Sequence, residues 1–152
     1  MTRFGIALAL ACAALGARAQ SNEVPAWFAE SFLEFPQDAR EAAQDGKRLM
    51  LYFWQEGCPY CRQMTQTTLA DPDIVAGTKR HFVAVALDVF GDREVQWFDG
   101  RRLPEKALAR SLGVRATPTI VFLDEKGGTV LRVAGYIPPE QFAAALEQAR
   151  PR

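Results

Sequence analysis

The chain has 152 residues, 49% of them hydrophobic and 24% charged, with 18 basic and 18 acidic side chains and a formal net charge of zero. One domain of that length holds enough apolar residues for a core, which excludes a disordered chain and a bundle of membrane spans. The basic clusters Lys79-Arg80-His81 and Arg101-Arg102 are short and read as solvated surface, so no nucleic-acid partner is expected.

The first residues, "MTRFGIALALACAALGARAQS", open on Arg3 and continue as an apolar run from Phe4 to Leu15. Ala17-Arg18-Ala19 follows, a small-x-small cleavage pattern, so residues 1–19 read as a secretory signal peptide and the mature protein as periplasmic. The run is shorter than the roughly 20 residues a helix needs to cross a bilayer. Lipid attachment at Cys12 would want a large aliphatic residue three positions earlier, and Ala9 stands there. Removing residues 1–19 takes away Arg3, Arg18 and Cys12, which leaves a net charge of −2 and two cysteines in an oxidising compartment.

Residues 20–36 form an N-terminal extension in which a short helix is expected to pack Trp27, Phe28 or Phe32 onto the domain. In "PQDAREAAQDGK", Pro36 opens a helix and Gly46 closes it. "RLMLYFW", residues 48–54, is too short and aromatic for a helix and reads as a buried strand. A helix then runs from about Cys58, interrupted near Pro72. Pro59 fits its first turn, where the missing N–H has no partner to lose.

"HFVAVALDV", residues 81–89, is a second buried strand, and "FGDREVQWFDGRR" a polar loop containing Trp97 and Phe98. The next helix lies between Pro104 and Gly113. Two strands joined by "EKGG" predict an antiparallel hairpin. Phe142, Ala145, Leu146 and Ala149 recur at helical steps in the last segment. Strands alternating with helices and ending in a hairpin predict an α/β fold, a mixed central sheet with helices on both faces.

Cys58 and Cys61 stand three positions apart, between the first strand and the helix after it. Structural zinc needs four ligands, and beyond this pair the mature chain offers a single histidine, His81. A disulfide over so short a loop removes little unfolded-chain entropy, so a staple is a poor explanation. Asp88, Asp92 and Asp99 lack the spacing of a calcium loop. Disulfide exchange fits better. A cysteine at a helix N-terminus meets unpaired N–H groups and the positive end of the helix dipole, both of which favour thiolate, the attacking species. A second thiol one turn along can then resolve the mixed disulfide, and the strand–CxxC–helix order supplies that geometry. Two rival readings stand beside a reductant: the same chemistry serving cytochrome c maturation or general disulfide oxidation or isomerisation, and a binding module without catalysis, which has no use for both cysteines.

"YFWQEGCPYC", "GVRATPTIVFLD" and "GGTVLRVAGYIPPEQF" occur in the order that marks the thioredoxin superfamily, which the chain resembles over residues 37–150. The resemblance implies the thioredoxin fold and thiol–disulfide oxidoreductase activity. It also implies an attacking Cys58, a resolving Cys61 and a cis-proline at Pro118. Substrate contacts would fall to Pro59 and Tyr60 between the cysteines and to Thr117 and Pro118 opposite them. More narrowly, the leader, the inserted "GDREVQWFDG" and "GYIPPEQF" resemble the exported SoxW-type thioredoxins of bacterial sulfur oxidation. That likeness implies a periplasmic protein disulfide as substrate, a membrane thiol as electron donor, a monomer, and no cofactor beyond the Cys58–Cys61 disulfide itself. Two departures stand out. Tyr52 occupies the position of the buried acid of cytosolic members, leaving Glu56 or water to move the proton, and Pro59-Tyr60 is the dipeptide of glutaredoxins.

Overall fold

The computed structural model describes residues 24–151. The signal-peptide reading of residues 1–19, with Cys12, lies outside them.

Helix α1 (Phe35–Gln44) has Pro36 in its first turn and buries Phe35, Ala39 and Ala42. Gly46 follows its end at φ 67°, a left-handed turn that glycine takes without Cβ strain. Strand β1 (Arg48–Trp54) leads into α2 (Pro59–Gln66), a 3-10 turn (Thr68–Ala70) and α3 (Pro72–His81). The interruption near Pro72 is a fresh helix start, where the Asp71 carboxylate accepts the N–H groups of Asp73 at 2.9 Å and Ile74 at 3.1 Å. Strand β2 (Phe82–Asp88), two short strands β3 (Glu94–Gln96) and β4 (Arg102–Pro104), helix α4 (Glu105–Ser111), strands β5 (Thr119–Leu123) and β6 (Thr129–Ala134), and helix α5 (Pro139–Ala149) complete the order.

The main sheet has the order β2-β1-β5-β6, with β2 parallel to β1 and β5 and β6 antiparallel to their neighbours. Both of its faces are covered, which is why β1 reads as a continuous apolar run. Leu49, Leu51 and Phe53 point to a cluster with Phe35, Val85, Leu108 and Val121. Met50 and Tyr52 point the other way, to Met64, Ile74, Ile120, Phe122 and Phe142. The fold is the thioredoxin fold expected from the sequence.

Two local expectations are corrected. Residues 24–34 of the N-terminal extension contain no helix, and its last two residues, Phe35 and Pro36, already belong to α1. Before that helix the chain is an extended strap: the Ala29 N–H donates to the Ala84 carbonyl at 2.8 Å, and the Leu33 carbonyl accepts the Gln96 N–H at 2.9 Å. Leu33 takes a left-handed φ of 61°, held by its N–H on the Ser31 hydroxyl at 2.7 Å. Phe28 goes into the core edge-on to Tyr52, Trp27 donates its indole N–H to the Leu69 carbonyl, and Phe32 is 98% exposed. The supposed polar loop after β2 also contains a small antiparallel pair, with Val95 opposite Leu103. Three residues a side are too few to show an alternating pattern. Trp97 packs edge-on to Phe35 at 5.7 Å, and Phe98 covers Gly127, where a Cβ would fall 2.2 Å from the ring.

The outer edge of β2 is blunted as well. Glu105, 1% exposed, accepts the Asp88 N–H at 3.0 Å and binds Arg93 through both oxygens, and Arg93 also donates to the Ala86 carbonyl at 3.1 Å. Ala29 and the Arg93–Glu105 pair thus occupy edge groups that a further strand would otherwise use.

Replacing Phe28 with alanine should lower the unfolding free energy by about 3 kcal/mol in urea titrations, the cost of deleting a buried ring. Phe32→Ala should stay within about 0.5 kcal/mol. Equal effects of the two would contradict the strap.

Candidate active site

Strand β1 ends at Trp54, and Gly57, at φ 73°, turns the chain into α2. Cys58 is the N-cap of that helix, with extended backbone angles, and Pro59 follows in the first turn. Two long-range pairings lock the approach: Trp54 lies beside Asp88 on β2, and Phe53 beside Thr119 on β5. The cysteine therefore rests on the centre of the sheet rather than on a free loop.

Cys58 and Cys61 are joined as a disulfide, and both are buried, Cys58 at 4% and Cys61 at 0% exposure. The Cys61 N–H donates to the Cys58 sulfur at 3.1 Å, and the Thr117 hydroxyl donates to the same sulfur at 3.3 Å. The carbonyl oxygen of Thr117 lies 3.6 Å from it. Thr117–Pro118 is a cis peptide bond. The Pro118 carbonyl accepts the Gly135 N–H at 2.8 Å, and the Thr119 hydroxyl donates to the Ala116 carbonyl at 2.7 Å, so both sides of that loop are tied down. Tyr60, between the cysteines, is 62% exposed. The structure thus brings Cys58, Pro59, Tyr60, Cys61, Thr117 and Pro118 to one end of the sheet.

Once the bond is reduced, the two sulfurs are not equivalent. Two donors and the start of α2 face Cys58, and each favours negative charge there. Cys61 is buried beneath, where low polarity disfavours the charged form. A sulfur at a helix start with two donors directed at it, paired with one that is wholly buried, is suited to thiol–disulfide exchange.

The thioredoxin-like domain family model matches residues 35–150. The chain belongs to that family. Over 114 residues it is 31% identical to the thiol:disulfide interchange protein DsbD of Pectobacterium atrosepticum, an alignment covering 72% of this chain and 18% of that one. The chain spans about a fifth of the length of the curated relatives it matches. Among solved structures it is similar to a thioredoxin from Thermus thermophilus, with a TM-score of 0.59 and 33% identity over 76% of this chain and 82% of that one. The oxidised C-terminal domain of DsbD from Neisseria meningitidis shares the fold, with a TM-score of 0.56 and 21% identity over 76% and 90% of the two chains. A CxxC pair on a thioredoxin-like fold with DsbD relatives is consistent with a thiol–disulfide oxidoreductase.

The floor of the site is an aromatic ring. Tyr52 is fully buried, and its hydroxyl donates to the Cys61 carbonyl at 3.5 Å. Glu56, the carboxylate nearest in sequence, is exposed and does not take the buried place below Cys61. His81 ends α3 at the far end of the sheet, since β2 starts beside Arg48 while the cysteines follow the other end of β1. Among the described residues no group of three or more His, Cys, Asp or Glu is placed to hold a metal ion. Sequence reasoning missed the buried Glu105, whose one trace was an acidic residue opening α4, and the exposed Phe90 beside the site.

In the reduced protein, iodoacetamide at about pH 6 should label Cys58 and spare Cys61. Thr117→Val keeps the shape but removes one donor, so that labelling should fall about three- to tenfold, the worth of a hydrogen bond to a charged acceptor. Equal labelling of both cysteines would contradict the asymmetry.

Proposed function

We propose that this protein is an exported thiol–disulfide oxidoreductase that reduces disulfides in protein substrates. The observation that carries the reading is the Cys58 sulfur at the start of α2, with the Cys61 N–H and the Thr117 hydroxyl both directed at it. Export is supported by the leader-like layout of residues 1–19. Among the described residues no helix is long and apolar enough to cross a membrane.

The reaction starts from the dithiol. The Cys58 thiolate attacks one sulfur of the substrate disulfide, a Cys58–substrate bond forms, and the other substrate sulfur leaves as thiolate. Cys61 loses its proton and attacks the Cys58 sulfur. The Cys58–Cys61 disulfide closes, the second substrate thiol leaves, and two electrons have passed to the substrate. A membrane thiol donor then reduces the pair again, which is the step that relatives named for thiol:disulfide interchange suggest. The protein supplies its own redox group, and a monomer suffices. The likeness of "GDREVQWFDG" and "GYIPPEQF" to SoxW-type thioredoxins favours a sulfur-oxidation protein as the substrate. Pro59 and Tyr60 line one side of the approach, and Thr117 and Pro118 the other.

Cys61→Ser keeps the attacking sulfur and removes the resolving one, since a serine hydroxyl is too weak a nucleophile to break the mixed disulfide. Expressed in cells, it should accumulate covalent adducts that dithiothreitol releases, and Cys58→Ser should give few because Cys61 is buried. Adducts on the Cys58→Ser variant alone would reverse the two roles. Adducts on neither would favour a binding module.

A further inference from the structure

We propose that the groove beside the disulfide recognises acidic residues flanking the reactive cysteine of the substrate; this rests on the oxidoreductase reading above. The groove has a volume of about 270 Å³ and runs from Gln55 and Thr117 past Phe90 to Arg110 and Arg115. Thr117 belongs to both places, since its hydroxyl donates to the Cys58 sulfur while its residue lines the groove. A substrate whose sulfur meets Cys58 therefore lays its neighbouring residues here.

Three features describe what fits. Phe90 is 69% exposed, and with Tyr60 it is one of the few large apolar side chains among the described residues that solvent reaches; Tyr60 lies between the two cysteines, and Phe90 lines the groove with Thr117. Such a lip covers the apolar stems of a bound segment. Secondly, every charged residue lining the groove is basic: Lys106, Arg110 and Arg115. Lys106 is held by Asp92 at 2.5 Å, but Arg110 and Arg115 form no ion pair among the described residues and are exposed. Thirdly, the chain as a whole is formally neutral, so the all-basic lining is a local departure from the overall balance. Free guanidinium groups bind carboxylates in a planar, two-pronged way and steer acidic partners before contact. The occupant is accordingly an extended protein segment with Asp or Glu within a few residues of its cysteine.

The test uses three synthetic peptide dimers, each linked by one disulfide, in which glutamates, serines or lysines flank the cysteine on both sides. The reduced protein should reduce the glutamate dimer about fivefold faster than the serine dimer at low salt, the scale of favourable surface charge pairs. The lysine dimer should be slowest, and about 0.5 M salt should close the gap. The ratio of glutamate to serine rates should drop to one in R110Q/R115Q and below one in R110E/R115E. Because each ratio is internal to one protein sample, partial misfolding of a variant does not alter it, and the salt response needs no variant. Rates within twofold of each other for all three dimers in the wild type would overturn the inference alone. So would a glutamate preference that survives both double variants. Failure to reduce any dimer that dithiothreitol reduces would overturn the oxidoreductase reading, and this inference with it.

Discussion

The N–H of Cys61 points at the sulfur of Cys58 across 3.1 Å, and the rest of the site depends on that contact. It exists because α2 begins immediately after Cys58, so the free N–H groups of the first turn face the cysteine instead of another carbonyl. Pro59 supports this start at no cost in helical hydrogen bonds. A cysteine one residue further along would lie inside the helix and lose the same donors. The strand before it is equally necessary: β1 is central, paired on both sides, and fixes where the helix can begin.

The second donor comes from far away in the chain. Thr117 is 59 residues from Cys58 and reaches it only because β5 pairs with β1 in a register that sets Thr119 beside Phe53. The site is therefore the product of one local feature, the helix start, and one long-range feature, the strand register. The N-terminal strap and the Arg93–Glu105 pair act further back. They cover the outer edge of β2, the strand that holds the opposite side of β1. The same two elements leave that edge with fewer free backbone groups for association with other chains.

Below the disulfide the protein uses aromatic packing instead of charge. Tyr52 is wedged between Phe28 of the strap and the carbonyl of Cys61. A carboxylate at this position would have to lose its hydration in the midst of Met50, Met64 and Phe122, a large penalty without a paired cation. A phenol fits the same space with its ring in the core and its hydroxyl on a backbone carbonyl. The strap and the floor of the site are thus one packing unit, which ties residues near the start of the described chain to the chemistry at its centre.

The amino-acid sequence by itself determined what short-range rules control. The apolar run 48–54, Pro59 after Cys58, Gly46 and Gly113 after their helices and the turn at 125–128 all act over a few residues, and the strands and helices formed where they point. From them the order of the main-sheet strands and the helices between them, the α/β class and the place of Cys58 at a helix start were legible. Tertiary structure decided what depends on partners distant in the chain. The extension became a strap because the Ala84 carbonyl and the space beside Tyr52 were waiting for it. The polar loop held a strand pair because Val95 and Leu103 had a core to face, a reason no three-residue pattern displays. Glu105 is buried because Arg93 and the Asp88 N–H meet it there, and Arg110 and Arg115 come to share a groove with Thr117 once α4 packs on β2 and the β3–β4 pair. Sequence spacing carries helix and strand periods, but it does not carry the choice of which distant surface each side chain will meet.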